Sequence, residues 1–219
     1  MRSLPDGYTL ALEASTYAGS VAVVRGAGVV FARDVEMRGR EEERLMPAVA
    51  DCIAKLPGGM ASVQRVVCGA GPGSFTSLRI AASIAKGICH ARGLPLYAVS
   101  SLALVVGGSP AAKNGGRYMV SLEAMRDEAF AAAIDVGEDG TMPAAAAFRI
   151  VARSAVAEEA RIAGATVLDG APHAASVARM LDSIIQAGPV DLAAWEPDYG
   201  RAAEAQVKWE AAHGRPLPR

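Results

Sequence analysis

Glu13 and Glu123 are the acids whose placement could serve chemistry. Each sits in the same three-residue word, Leu-Glu-Ala, at the end of an apolar run: "YTLALEA" over 8–14 and "YMVSLEA" over 118–124. Two carboxylates facing one cleft could hold magnesium for a nucleotide phosphate. As ordinary strand-end acids they would face water, and with no other catalytic mark nearby that bland reading is the favoured one. The second chemical feature is "GAGPGSFTSLRIAASIAKG", residues 69–87. A glycine-rich turn that runs into a helix aims backbone N–H groups at one point, as phosphate sites do. Ser74 or Thr76 could add a hydroxyl. The specific signatures fail, however. A Walker loop needs a lysine directly after its last glycine, and here none comes before Lys86. The dinucleotide fingerprint fails too, because Gly69, Gly71 and Gly73 are spaced by two. A helix built to lie against another protein explains the stretch equally well.

Other catalytic constellations are absent from the chain. His90, His173 and His213 are scattered, with no paired-histidine helix that would suit zinc or iron. Ser74 lies in Pro-Gly-Ser-Phe-Thr, not in a nucleophile elbow, so serine hydrolysis is not indicated. Cys52, Cys68 and Cys89 make no Cys-x-x-Cys pair and are odd in number, which points to buried free thiols in a reducing compartment.

The elements that must position these residues follow from periodicity. Residues 8–14 alternate as a strand, and 20–25 and 28–36 read as two more around a glycine hairpin. From Glu41 to Leu56 the spacing turns helical, with Leu45, Val49, Cys52 and Leu56 on one stripe and Glu41, Glu42 and Glu43 near the positive end. Residues 63–71 form a buried strand, 75–91 a helix, 94–100 a strand, and 101–106 a short helix capped by Ser100 or Ser101. "GGSPAAKNGG", Gly107–Gly116, is the expected linker. After it the strand–turn–strand layout restarts, which suggests an internal duplication. A third strand is expected near 146–151, then a helix over 154–163, a strand over 165–170, a helix in 172–188, and a tail helix over 202–212. The expected architecture is therefore α/β: two β-β-β-α-β-α units of the actin-like kind. One spans 1–106 and a reduced copy spans 117–219.

Bulk properties set limits on partners. The 219 residues are 52% hydrophobic and 21% charged, with a net charge of −1. That gives no global attraction for nucleic acid or an anionic membrane. No run approaches the ~18 apolar residues of a spanning helix, and no leader pattern is seen. A soluble, cytoplasmic protein is expected. On the 75–91 helix, Arg79, Ser83 and Lys86 share a face distinct from Leu78, Ala82, Ala85 and Cys89. That face is either a solvated basic stripe or the rim of a protein-binding surface.

The stretch from Gly69 to Gly87 resembles the G-P-G-S-F-T-G-x-R-x-G-x-x-x-A-K-G segment of the TsaB (YeaZ) family. "LALEASTYAGSVAVV" is similar to that family's I-D-T-S-T-x-x-x-S-V-A-L opening, and "EERLMPAV" to its S-E-R-L-L-P helix. "SLEAMRDEAFAAAID" is similar to D-A-R-x-x-E-V-Y, and "PDYGR" to P-x-Y-x-R. The match is dense over 8–135 and thin over 136–195. Glu13 and Glu123 stand where the family has aspartates, and Ser77 where it has glycine.

The resemblance implies an actin/Hsp70-like (RNase H-like) fold with two subdomains. It implies a non-catalytic scaffold that pairs with a TsaD-like catalytic subunit and a TsaE-like ATPase. Together these form N6-threonylcarbamoyladenosine beside the tRNA anticodon. The helix at 41–56 and the glycine-launched helix would make the heterodimer surface, with Arg44, Leu45, Val49, Ser74, Phe75, Ser77, Arg79, Ala81 and Lys86 as its candidate residues. Leu45 and Val49 could equally be core. No intrinsic cofactor is expected; ATP or ADP with magnesium would bind, if at all, at the partner interface. The same face is a candidate for homodimer formation when the partner is absent, and tRNA is expected to be reached only through the complex. The alternative is a free-standing actin-like ATPase or kinase with nucleotide near Glu13 and Glu123.

Overall fold

The computed structural model describes residues 7–38, 43–112, 115–201, 209 and 212–214. Strands β1 (Tyr8–Glu13), β2 (Ala18–Arg25) and β3 (Gly28–Glu36) form an antiparallel meander. Helix α1 (Leu45–Ala54) leads to β4 (Val63–Gly69), helix α2 (Phe75–Arg92), β5 (Leu96–Val99) and helix α3 (Ser101–Gly108). β4 lies parallel to β1, and β5 parallel to β4, giving the sheet order β3-β2-β1-β4-β5. The second half repeats the plan with β6 (Gly116–Ala124), β7 (Glu128–Val136), β8 (Arg149–Ala152), helix α4 (Val156–Ala163), β9 (Thr166–Leu168) and helix α5 (Val177–Gln186). Its order, β8-β7-β6-β9, reproduces β3-β2-β1-β4 with the same parallel and antiparallel senses. The duplication suggested by Leu-Glu-Ala is thus carried by topology, and among the described residues the second unit has no counterparts of β5 and α3.

The layers explain why both faces of β1 are buried. Leu10 and Leu12 join α1 and α2 in one core with Leu45, Val49, Cys52, Ala81, Ala85 and Cys89. Ala11 faces the opposite way, into a central core that holds α3 and α5 between the two sheets. α4 covers the far face of the second sheet through Val156 and Ala160. Among the described residues no helix is long and apolar enough to cross a membrane.

Several expectations need correction. α1 starts at Leu45, because the Glu43 carboxylate accepts the N–H groups of Leu45 and Met46 and so ends the helix there. Pro47 falls in its first turn, where no N–H is missed. Glu41 and Glu42 lie outside the described residues. Gly107 and Gly108 are not linker: they finish α3, and a Cβ on Gly107 would come 2.8 Å from the Met180 sulfur. Glycine there lets α3 approach α5 closely. Pro110–Ala112 is a 3-10 turn, so the segment is structured at both of those points. β8 starts at Arg149, and a 3-10 turn over Arg153–Ala155 precedes α4. The expected tail helix over 202–212 lies almost wholly outside the described residues.

Candidate protein-docking face

The glycine turn follows β4 because its residues cannot be larger. A Cβ on Gly69 would lie 1.9 Å from Oε2 of Glu13, and one on Gly73 would lie 2.1 Å from the Ser15 carbonyl oxygen. Gly71 has φ +88°, and a Cβ there would meet the Asp198 carbonyl oxygen at 2.1 Å. Glu13 is fully buried. It accepts the Ser15 N–H at 2.6 Å and the Ser101 hydroxyl at 2.9 Å, and Ser101 Oγ in turn accepts the Gly71 N–H at 3.2 Å. Burial pushes the Glu13 carboxyl up from its ordinary value, and hydrogen bonds from Ser15 and Ser101 pull it partway back.

The donors of the turn are largely spent internally. Ala70 N–H goes to Val99, Ser74 N–H to Ser15 and Gly71 N–H to Ser101. A strap formed by residues 195–201 then closes over it. Asp198 N–H bonds the Ala70 carbonyl at 2.8 Å, and Pro197 is buried. Gly200, at φ +73°, sits so tightly on Phe130 that a Cβ would come within 2.3 Å of the ring. Arg201 pairs with Glu128 of β7. The strap therefore ties the second sheet to the start of α2.

Glu13 and Glu123 do not come together. Glu123 is exposed and paired with Arg153 at 3.0 Å, whereas Glu13 is sealed beneath the turn. These two acids do not fit a shared magnesium site. Among the described residues no group of three His, Cys, Asp or Glu side chains could hold a metal ion. The three cysteines are buried and free; burial pushes the Cys89 thiol up to about 11 and raises Cys52 and Cys68 as well.

The candidate interface residues divide into two sets. Leu45 and Val49 are fully buried, and Ser77 and Ala81 nearly so; they are core beneath α1 and α2, not surface. Their small or aliphatic side chains let the helices sit close on β1 and β4. Lys86 donates to the Trp195 carbonyl at 2.9 Å and so anchors the strap. Ser74 is half-buried, 3.1 Å from the Ser77 hydroxyl. Arg44 is exposed and pairs with Glu36 at 3.4 Å. Phe75 and Arg79 do reach the surface. They line a shallow groove with Glu43, Thr76, Ile80, Ser83 and Ile84. Phe75 is 38% exposed, and Met46 on neighbouring α1 is 43% exposed. Sequence reasoning missed Tyr199, whose ring lies 4.4 Å from that of Phe75 at a tilt. Burial and nearby Glu196 push its phenol up, with Arg79 pulling it partway back. The "PDYGR" word marked the strap but not where it lands.

Two related sheets, helices between and outside them, and a glycine turn at the head of α2 define an actin/Hsp70-like α/β protein. A family model described as TsaD, tRNA N6-adenosine threonylcarbamoyltransferase, matches residues 39–169. The chain belongs to this family, and its curated relatives include TsaB proteins. The tRNA threonylcarbamoyladenosine biosynthesis protein TsaB of Escherichia coli K12 is 31% identical over 132 residues, covering 60% of this chain and 56% of that one. The TsaB protein of Haemophilus influenzae is 27% identical over 121 residues, covering 55% and 51%. The chain thus spans about half the length of the curated relatives it matches. The structure of YeaZ from Pseudomonas aeruginosa superposes with a TM-score of 0.72 at 23% identity, covering 88% of this chain and 99% of that one. That likeness speaks for the fold.

Proposed function

We propose that the chain is a non-catalytic scaffold subunit in the formation of N6-threonylcarbamoyladenosine on tRNA. On this reading it pairs with a TsaD-like catalytic subunit through the exposed faces of α1 and α2, and a TsaE-like ATPase joins the pair. The observation that carries the reading is the groove beside α2. Phe75, Ile80 and Ile84 present apolar surface there, Met46 on α1 is exposed as well, and the stripe that holds the helices to the sheet is filled by Leu45, Val49, Ala81 and Ala85, with Ile80 and Ile84 packed at its edge. A helix pair that has already met its packing needs and still exposes aromatic and aliphatic side chains suits a partner. The relatives' part in tRNA threonylcarbamoyladenosine biosynthesis supports the choice of pathway. The turn's internal hydrogen bonds and the sealed Glu13 support a passive role for this chain's own cleft, so any nucleotide would be held by the partners. With a net charge of −1, tRNA would be held chiefly by them as well.

Size-exclusion chromatography with light scattering, on the full chain with and without the TsaD-like subunit of the same organism, tests this. A mixed complex, lost on Ser83→Trp in the exposed centre of α2, is the expected result. The chain alone is expected to form a homodimer through the same face and to show no threonylcarbamoyl transfer. No complex under any nucleotide condition, or transfer by the chain alone, would sink the proposal.

A further inference from the structure

Among the described residues, Glu43 and Arg79 are the charged side chains that line the groove, and several charges on and beside its two helices are committed. Glu43 caps α1, Arg44 is paired with Glu36, Lys86 is bound to the Trp195 carbonyl, and Asp51 is paired with Arg33. Arg79 is different. It is exposed on the groove wall, its guanidinium carbon lies 5.4 Å from the centroid of the Phe75 ring, and among the described residues it makes no ion pair. Phe75 is in turn braced by Tyr199 from the strap, with ring centroids 4.4 Å apart. Glu196, the strap acid whose charge bears on Tyr199, is not among the ion-pair partners of the described residues.

We infer that Arg79, Phe75 and Tyr199 form a composite slot that receives a carboxylate side chain from the partner subunit, which makes the strap part of the docking face. The inference rests on the docking reading above. A guanidinium held over an aromatic ring gives up little freedom on binding, and its planar fork matches a carboxylate bidentately. Ile80 and Ile84 flank the position, so an incoming chain would exclude water and strengthen the pair. The occupant is therefore an acidic residue set among apolar neighbours on the partner's surface. A phosphate backbone fits less well, because RNA affinity is built from several cations, and among the described residues that line this groove Arg79 is the one cation. The slot also draws on both ends of the chain: α2 from the first unit, and a strap that reaches it after the second.

The experiment is isothermal titration of the full chain into the full TsaD-like subunit at two salt concentrations, with melting curves run on every variant. Arg79→Gln is expected to weaken pairing ~10- to 100-fold and to flatten its salt dependence. Tyr199→Ala is expected to weaken pairing by roughly 3- to 10-fold, while Tyr199→Phe, which keeps the ring, binds as the unaltered chain does. Unaltered affinity and salt dependence in Arg79→Gln would overturn the slot while leaving the docking reading intact. Failure of the unaltered chain to pair would overturn both. If Arg79→Gln keeps its partner and instead loses tRNA from the assembled complex, the slot binds phosphate and the inference is wrong.

Discussion

Replacing Gly69 with alanine tests the link between Glu13 and the glycine turn. Gly69 is not in the left-handed region, so alanine is allowed by its backbone and would by itself stabilise the fold by ~0.4–1 kcal/mol through the unfolded chain. Sterics oppose this. The new Cβ would lie 1.9 Å from Glu13 Oε2 and 2.9 Å from its Cδ. Glu13 has nowhere to go, being fully buried and held by Ser15 and Ser101. Overpacking of this kind costs ~1–3 kcal/mol, and displacing a buried hydrogen bond costs ~1–3 kcal/mol more. The net expectation is a loss of about 3–4 kcal/mol, seen as a melting point lower by roughly 6–16 °C. Glu13→Asp shortens the acid by one methylene and should cost ~1–3 kcal/mol through the lost Ser101 contact. Combined, the two changes should cost at least ~1 kcal/mol less than their sum, since the alanine methyl fills what the shorter acid vacates. Denaturant and thermal melts of the four proteins close the cycle. A Gly69→Ala melt within about 2 °C of the unaltered chain, or strict additivity, would refute the reasoning.

Glu13 also sets a pH dependence. Its folded value is raised above the ordinary 4.5 by burial, so between that value and the raised one the folded state holds a proton that the unfolded state releases. Stability from this group is therefore lost as pH rises through the window. Glu13→Gln keeps an acceptor for Ser15 and should gain in melting point relative to the unaltered chain as the pH is raised above 4.5; a difference that stays constant would count against it. At the glycines, Gly71→Ala faces both a positive φ and a backbone carbonyl, and should cost ~3 kcal/mol or more. Gly107→Ala meets only the flexible Met180 side chain within a helix that favours alanine, so it should fall within about 1.5 kcal/mol of neutral by chemical denaturation. Finally, with Cys89 near 11 and Cys52 and Cys68 raised by burial, the native protein should react negligibly with a thiol reagent at pH 7.5. All three should label in denaturant, and rapid native labelling would show that the α1–α2 core opens.

The elements of the fold were legible where one periodicity ruled. β1, α2 and α5 answer to spacing alone, and the repeated Leu-Glu-Ala led correctly to two sheets of matching order. The ends of elements were not legible, because side chains from elsewhere decide them. Glu43 starts α1 late, and Gly107 and Gly108, which the sequence places in a linker, end α3 where it packs closely on Met180 and Ser176. Nothing in the local sequence distinguishes a glycine needed for a turn from one needed for a close helix crossing.

Spacing alone leaves Leu45 and Val49 open between interface and core, and the structure places them in the core. Leu45, Val49 and Ala81 stand on helical stripes, and a stripe says that one side of a helix is covered without saying by what. The structure covers those residues with the sheet, so what stays exposed or half-exposed on the two helices is a less regular set that includes Met46, Phe75, Arg79, Ile80 and Ile84. Tyr199 was out of reach altogether. Its position beside Phe75 depends on a strap fixed at Ala70, Lys86 and Glu128, three contacts each more than 70 residues distant in the chain. Those anchors also explain the glycine turn. Gly71 admits the Asp198 carbonyl against the turn, so the chain's own backbone fills the space that its missing side chain leaves open.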